Sequence, residues 1–319
     1  MRPTRTKPSS RDSWFTFHSL SAQDRPLMAA LRAAAAPYKG RMRDLSARAP
    51  FDAVMSGILA PPDVSFREGR VGGIAGWWCE PRDALPDAAI LHLHGGWFNL
   101  GSASAYRHLV GHIARSAGAV AFVPEYRLAP EHPFPAAIED ARASLRGLTE
   151  AGVSKIAVTG DSAGGNLALI ILSLAAADPA ATICPIGAVP LSPVTDLELT
   201  GSSWQSRAEA DHYFLRDQIE SLIQGYLNGH NPRDPLVSPL HGNLVGLPPT
   251  RVQVGDDEVL LDDSQRLVAR AVAAGVEARL DVWEGMPHGF LGFIGQTQAA
   301  ASALSALGEF LSLRFSSAS

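Results

Sequence analysis

A serine stands among small residues in Gly160-Asp161-Ser162-Ala163-Gly164-Gly165, with an apolar strand-like run before it (Lys155 to Thr159) and an apolar helix-like run after it (Leu167 to Ala177). A G-x-S-x-G turn between a strand and a helix lifts a serine hydroxyl clear of a sheet. The sharp turn strains the serine backbone, so only glycine-sized neighbours fit beside it. The first amides of the following helix then point at a reacting carbonyl. The chemistry would be nucleophilic acyl transfer. The five-residue pattern alone carries little weight, because strings of small residues also close ordinary helix–strand contacts.

Acyl transfer needs donors for the negative charge that develops on the carbonyl oxygen. His94-Gly95-Gly96 follows a short apolar run, and its glycines let backbone approach a substrate closely. The amides of Gly95, Gly96 and Ala163 are the expected oxyanion donors. A general base must titrate near neutrality, which points to histidine. Of 10 histidines, His288 in Gly285-Met286-Pro287-His288-Gly289-Phe290 lies last in the chain, after an acidic turn, as the order serine, acid, histidine requires. His108 and His112 have the i, i+4 spacing of metal ligands, but no H-E-x-x-H glutamate lies between them, so they read as a solvated helix face and no metal is expected. His92 and His94 flank Leu93, and one of them is expected to brace the glycine loop.

The acid is open at this point. Gly255 to Asp263 holds Asp256, Asp257, Glu258, Asp262 and Asp263. Asp262 and Asp263 begin a helix-like run, where acids commonly cap. That leaves Asp256, Asp257 and Glu258 to orient the histidine.

These residues must be placed by elements that alternate from about residue 70. Strand-like runs lie at Ala89–Leu93, Ala119–Pro124, Lys155–Thr159, Ile186–Leu191, Thr250–Val254 and Ala278–Trp283. Helix-like runs lie between them, and a last one covers Gln296–Leu313. The alternation predicts an α/β fold: a mostly parallel sheet with helices on both faces. Ligands of such sheets bind beyond the carboxyl ends of the strands. His94, Ser162 and the acidic turn all fall there. Two stretches break the pattern. Residues 1–55 carry alanine-rich helical pieces broken by Pro37 and Pro50, and residues 196–235 insert an amphipathic stretch, Asp217 to Leu227. The expected division is a tail and cap helices over 1–55, a catalytic domain over 56–195 and 236–319, and a cap insertion over 196–235.

A net charge of -5 in 319 residues gives no reason to expect nucleic acid. Arg2, Arg5, Lys7 and Arg11 among Pro, Ser and Thr read as a flexible tail without a signal-peptide core. No apolar run reaches the roughly 18 residues of a membrane span. Leu167 to Ala177 reads instead as a helix buried on all sides. Cys79 and Cys184 make no disulfide framework, and both read as small apolar residues beside strands. A cytoplasmic protein without cofactor is expected.

The chain resembles the hormone-sensitive-lipase-like branch of the α/β-hydrolases, bacterial carboxylesterases in particular, over about residues 70–313. The likeness is carried by His94-Gly95-Gly96 with Gly101-Ser102, the run Glu125 to Ala137, Gly160 to Gly165, Pro232-Arg233-Asp234-Pro235, the acidic turn, and His288-Gly289-Phe290. It implies an eight-stranded sheet under a helical cap made by the two irregular stretches. It also implies Glu258 as the acid, because a related subgroup has Asp-Glu-Val-Leu-Leu-Asp at this turn, with Asp257 second. The chain departs from the family where a third glycine is usual: Trp97 stands there, followed by Phe98, and its indole either fills or narrows the acyl pocket or simply turns toward the cap. Trp204, Tyr213 and Phe214 of the insertion, with Asp161, are further expected pocket residues. The implied activity is hydrolysis of small short-acyl esters through an acyl-enzyme on Ser162, His288 and Glu258. A lactone or N-acetyl group would be handled by the same triad. A non-catalytic ligand-binding relative would typically lack the histidine or the glycines, both present here. An interfacial lipase is disfavoured because no long apolar lid segment is seen. Family members often form homodimers through the last strand and helix, here Ala278–Trp283 and Gln296–Leu313.

Overall fold

The computed structural model describes residues 14–178 and 184–317, so the basic N-terminal run from Arg2 to Arg11 lies outside the described residues. Along the chain the elements are β1 (Phe15–His18), α1 (Asp24–Ala35), α2 (Arg48–Ser56), β2 (Val64–Val71), β3 (Ile74–Pro81), β4 (Ala88–Leu93), α3 (Ala103–Ala117), β5 (Val120–Pro124) and α4 (Ala136–Glu150). They continue as β6 (Lys155–Asp161), α5 (Ala163–Ala177), β7 (Gly187–Leu191), α6 (Ser203–Ser206), α7 (Arg216–Leu227), β8 (Thr250–Gly255), α8 (Leu261–Ala273), β9 (Ala278–Trp283) and α9 (Gln298–Ser317).

One sheet runs β1-β9-β8-β7-β6-β4-β5-β3-β2. All pairings are parallel except those of β3 with β2 and with β5. The sheet therefore has nine strands where eight were expected. The extra one is β1, four residues whose period is too short to read, laid parallel along β9. It covers the edge through which the family resemblance placed a homodimer contact.

Side chains alternate across the sheet and feed two cores. Along β4, Ala89, Leu91 and Leu93 join one core with α4, α5 and α8, whereas Ala88 and Ile90 join the other with α3 and α9. Helix α5 is buried from Ala163 through Leu172, as its all-round apolar sequence predicts. That rigid helix holds the turn at Ser162.

Several local expectations change. Pro50 lies in the first turn of α2, where its missing N–H costs no helix bond, so it does not break the helix. His108 Nδ1 and His112 Nε2 lie 2.8 and 2.9 Å from the carbonyls of Ile58 and Leu59, and so hold the segment after α2 onto α3 rather than forming a solvated face. Cys79 is buried in β3, but Cys184 is exposed and takes no part in a core. Asp24 of α1 accepts the amides of Gln298 and Ala299 at 2.9 and 3.0 Å and so caps α9. Among the described residues no helix is long and apolar enough to cross a membrane.

Candidate active site

Ser162 sits between β6 and α5 with φ 55° and ψ -118°, outside the regions favoured by residues other than glycine. The strain is held from both sides: Ser162 N donates to Leu191 O at 2.8 Å, and Ser162 O accepts from Val194 N and Asn166 N, each at 3.1 Å. A Cβ on Gly164 would lie 1.9 Å from Leu93 O, so only glycine lets α5 start this close to β4.

His288 Nδ1 lies 2.7 Å from Glu258 Oε2, and Glu258 is fully buried. Its other oxygen accepts Ser192 Oγ at 2.7 Å and Gly255 N at 2.6 Å. With Nδ1–H donated to the carboxylate, Nε2 is left as the basic nitrogen. Burial pulls the imidazole pKa down, but the Glu258 carboxylate, then Asp211 and Asp161, outweigh it, and the pKa ends above the ordinary histidine value. Ser162 Oγ makes no hydrogen bond to His288 here; such contacts are often long before substrate binds. The other acids point elsewhere. Asp257 is paired with Arg32 of α1, and Asp256 with Arg207 of the insertion at 2.9 Å. Asp262 and Asp263 are not simple caps of α8: they accept the amide of Ser202 and those of Thr195 and Asp196, tying down the chain after β7.

The glycine loop departs from expectation in its donors. Gly95 N donates to Asp161 Oδ1 at 3.0 Å and is not available to a substrate oxygen. The amides of Gly96, Trp97 and Ala163 have no such partner among the described residues. Gly96 takes φ 121°, where a Cβ would meet Leu100 O at 2.2 Å. Asp161 braces this loop, since its second oxygen accepts Tyr106 Oη at 3.0 Å. Of the two neighbouring histidines His94 is the brace. Its Nδ1 lies 2.9 Å from Gly95 O, and burial lowers it to about 4, so it stays neutral. His92 Nδ1 lies 2.9 Å from Thr159 Oγ1, and its Nε2 lies 3.4 Å from the Asp161 oxygen that holds Gly95 N.

On the cap side, Trp97 meets Phe214 edge-on at 5.4 Å and Trp204 at 6.4 Å, and Phe214 meets the His288 ring at 5.0 Å. Trp97, Trp204 and Phe214 thus form one aromatic cluster ending on the imidazole. Phe98 does not join it, because it stacks on Tyr226 of α7 at 3.9 Å. Tyr213 packs edge-on against Phe214 at 6.2 Å, while its carbonyl accepts Gly40 N. Sequence reasoning missed three residues. Ser192 holds the acid, Arg207 holds Asp256, and Asp211 accepts the amides of Tyr213, Phe214 and Val259. Ser192 directly follows strand β7 beside the elbow, which is a usable signal; the other two carry none.

A family model described as alpha/beta hydrolase fold matches residues 90–292. An acetyl-hydrolase of Streptomyces hygroscopicus is 40% identical over 221 residues, 68% of this chain and 73% of that one. An esterase of Acinetobacter venetianus is 36% identical over 252 residues, 78% of this chain and 82% of that one. Among solved structures, an esterase from the bacterial hormone-sensitive lipase family superposes with a TM-score of 0.84 at 37% identity, covering 92% of this chain and 99% of the other.

Proposed function

We propose, for a chain that belongs to the α/β-hydrolase fold family in its hormone-sensitive-lipase branch, that Ser162, His288 and Glu258 act as one acyl-transfer unit on small, short-acyl esters. The protein is a carboxylic ester hydrolase. The observation that carries the assignment of residues is the 2.7 Å contact of His288 with the buried Glu258 beside a strained serine.

Ser162 Oγ attacks the ester carbonyl carbon while its proton passes to His288 Nε2. Glu258 fixes the imidazole tautomer and supports the cation that forms. The oxyanion is taken by the amides of Gly96, Trp97 and Ala163, a set that replaces Gly95 by Trp97 because Asp161 already holds the Gly95 amide. Collapse breaks the bond to the alcohol oxygen, which leaves with the proton from Nε2. Water then attacks the acyl-enzyme by the same route, releasing the acid and free Ser162.

We read residues 196–235 and the stretch from α1 to α2 as the cap, whereas β1, expected in the tail, belongs to the sheet. Gln218 of the insertion donates to Met42 O, Arg43 pairs with Asp217, and Arg32 donates to His212, which supports the two stretches working together. A reducing compartment such as the cytoplasm suits the free thiol of exposed Cys184. A second reading, acetyl esters or N-acetyl groups as substrates, is favoured by the name of the Streptomyces relative. Labelling with a fluorophosphonate tests the assignment. The label should vanish in Ser162→Ala, with kcat down roughly 10⁴–10⁶-fold. Retained labelling and turnover in that variant would refute it.

A further inference from the structure

We propose that the substrate carries, besides its scissile carbonyl, a second uncharged oxygen acceptor that is bound by the indole N–H groups of Trp97 and Trp204. The proposal rests on the triad reading above and names the substrate class it implies: oxygenated esters such as acetylated polyols or alkoxy-acyl esters, rather than plain alkyl esters.

Trp97 and Trp204 are 2% and 5% exposed, and the Nε1 atoms of both are buried without a hydrogen-bond partner among the described residues. Buried indole N–H groups usually find an acceptor, and two orphans on one contacting pair call for an explanation. Phenylalanine would fill the same apolar space without leaving a donor unpaired. The pair is not remote from the chemistry. Trp97 directly follows Gly96 in the oxyanion loop, and it touches Phe214, whose ring lies against His288. Ser162 is itself only 3% exposed, so an ester that reaches it must displace part of its surroundings, and the Phe214 ring of this cluster already lies against its partner His288.

The chemistry of the acceptor follows from the donors and their surroundings. An indole nitrogen donates and never accepts, so the ligand must offer a lone pair. Asp161, Asp211 and Glu258 all act on the imidazole as negative charges, so an anionic group would be repelled. An ether, hydroxyl or second ester oxygen fits both conditions.

Isosteric ester pairs test this. In p-nitrophenyl butyrate and methoxyacetate, or pentanoate and 3-methoxypropanoate, one methylene becomes oxygen; butyl and 2-methoxyethyl acetate make the same change on the alcohol side. The oxygen/methylene ratio of kcat/KM, compared between enzymes, cancels intrinsic reactivity. For at least one pair, Trp97→Phe or Trp204→Phe should lower that ratio roughly 5- to 30-fold, the effect of one lost hydrogen bond. Ratios unchanged within about twofold for every pair in both variants would overturn the proposal. Should the variants not fold, the wild type decides: indole N–H resonances should move downfield with a methoxyethyl phosphonate on Ser162 relative to a butyl phosphonate, and identical spectra would overturn it. Turnover surviving in Ser162→Ala would instead sink the triad reading, a distinct outcome.

Discussion

Asp211 Oδ2 accepts the amide of Val259 at 2.9 Å, one residue beyond the carboxylate that holds His288. Its other oxygen takes the amides of Tyr213 and Phe214, each at 2.8 Å. One buried side chain therefore joins the insertion that carries the Phe214 ring to the turn that carries the acid. Its charge also favours the imidazolium form of His288.

Asp211→Asn should separate those two effects. Removing an anion near His288 lowers the imidazole pKa, so the acid limb of kcat/KM should move to lower pH. An amide N–H facing one of three backbone donors should also cost about tenfold in kcat/KM at its plateau. In the wild type the base must be neutral, so activity falls on acidification, and the raised pKa of His288 puts the midpoint of that fall above about pH 6.5. The stability contribution runs the opposite way. A raised folded pKa gives stability that is full below the ordinary histidine pKa and lost as pH rises through the folded value. Activity should thus rise over the window where this contribution fades. A pH–rate profile of Asp211→Asn that overlays the wild-type profile would remove Asp211 from this role.

Glu258 and Asp257 are adjacent in sequence but separate in function. Glu258→Gln would place an amide where His288 needs an acceptor, and kcat should fall by roughly 10⁴-fold as the tautomer is lost. Asp257→Asn should leave kcat within about twofold, because Asp257 faces Arg32 and not the imidazole. Steady-state kinetics on the two variants decide it, and a reversed pattern would move the acid to Asp257.

The parts of this site that could be read from residue order are those written in local chemistry: Ser162 among small residues, His288 after an acidic turn, glycines after a strand. Glu258 needed the family pattern, since charge alone did not choose among its neighbours. The rest depends on approach in space. Ser192, Asp211 and Arg207 reach their partners across 66, 48 and 49 residues, from segments with no period or motif. That the Gly95 amide is already used by Asp161 follows only once β4 and β6 lie side by side. Phe98 illustrates the converse: adjacency to Trp97 suggested a shared pocket, but successive side chains diverge, and it packs on α7.

Trp97→Gly should widen the acyl range. The backbone there has φ 51°, which glycine adopts freely, so the oxyanion loop can keep its path. Deleting a buried indole costs about 3–5 kcal/mol, offset by roughly 1 kcal/mol from relieved backbone strain. The variant should melt several degrees lower yet hydrolyse longer p-nitrophenyl esters relative to butyrate. A chain-length profile identical to the wild type would show that the indole does not bound the acyl site.

The sheet's two edges are protected differently, and that bears on assembly. Edge strand β2 carries Arg67, Glu68 and Arg70, charges that discourage pairing with another chain. At the other end β9 is covered by β1, with His18 stacked on Trp283 at 3.8 Å and its Nε2 2.8 Å from Asp281. Leu280 N and Glu284 N donate to Trp14 O and His18 O, so the edge groups of β9 are already paired. The full chain should therefore not dimerise by pairing β9 with β9. Deleting residues through His18 uncovers the unpaired backbone edge of β9 and should raise the solution mass toward a dimer or larger species. Size-exclusion chromatography with light scattering measures this directly. An equal mass for full and truncated chains at matched concentration would mean that β1 does not guard the edge.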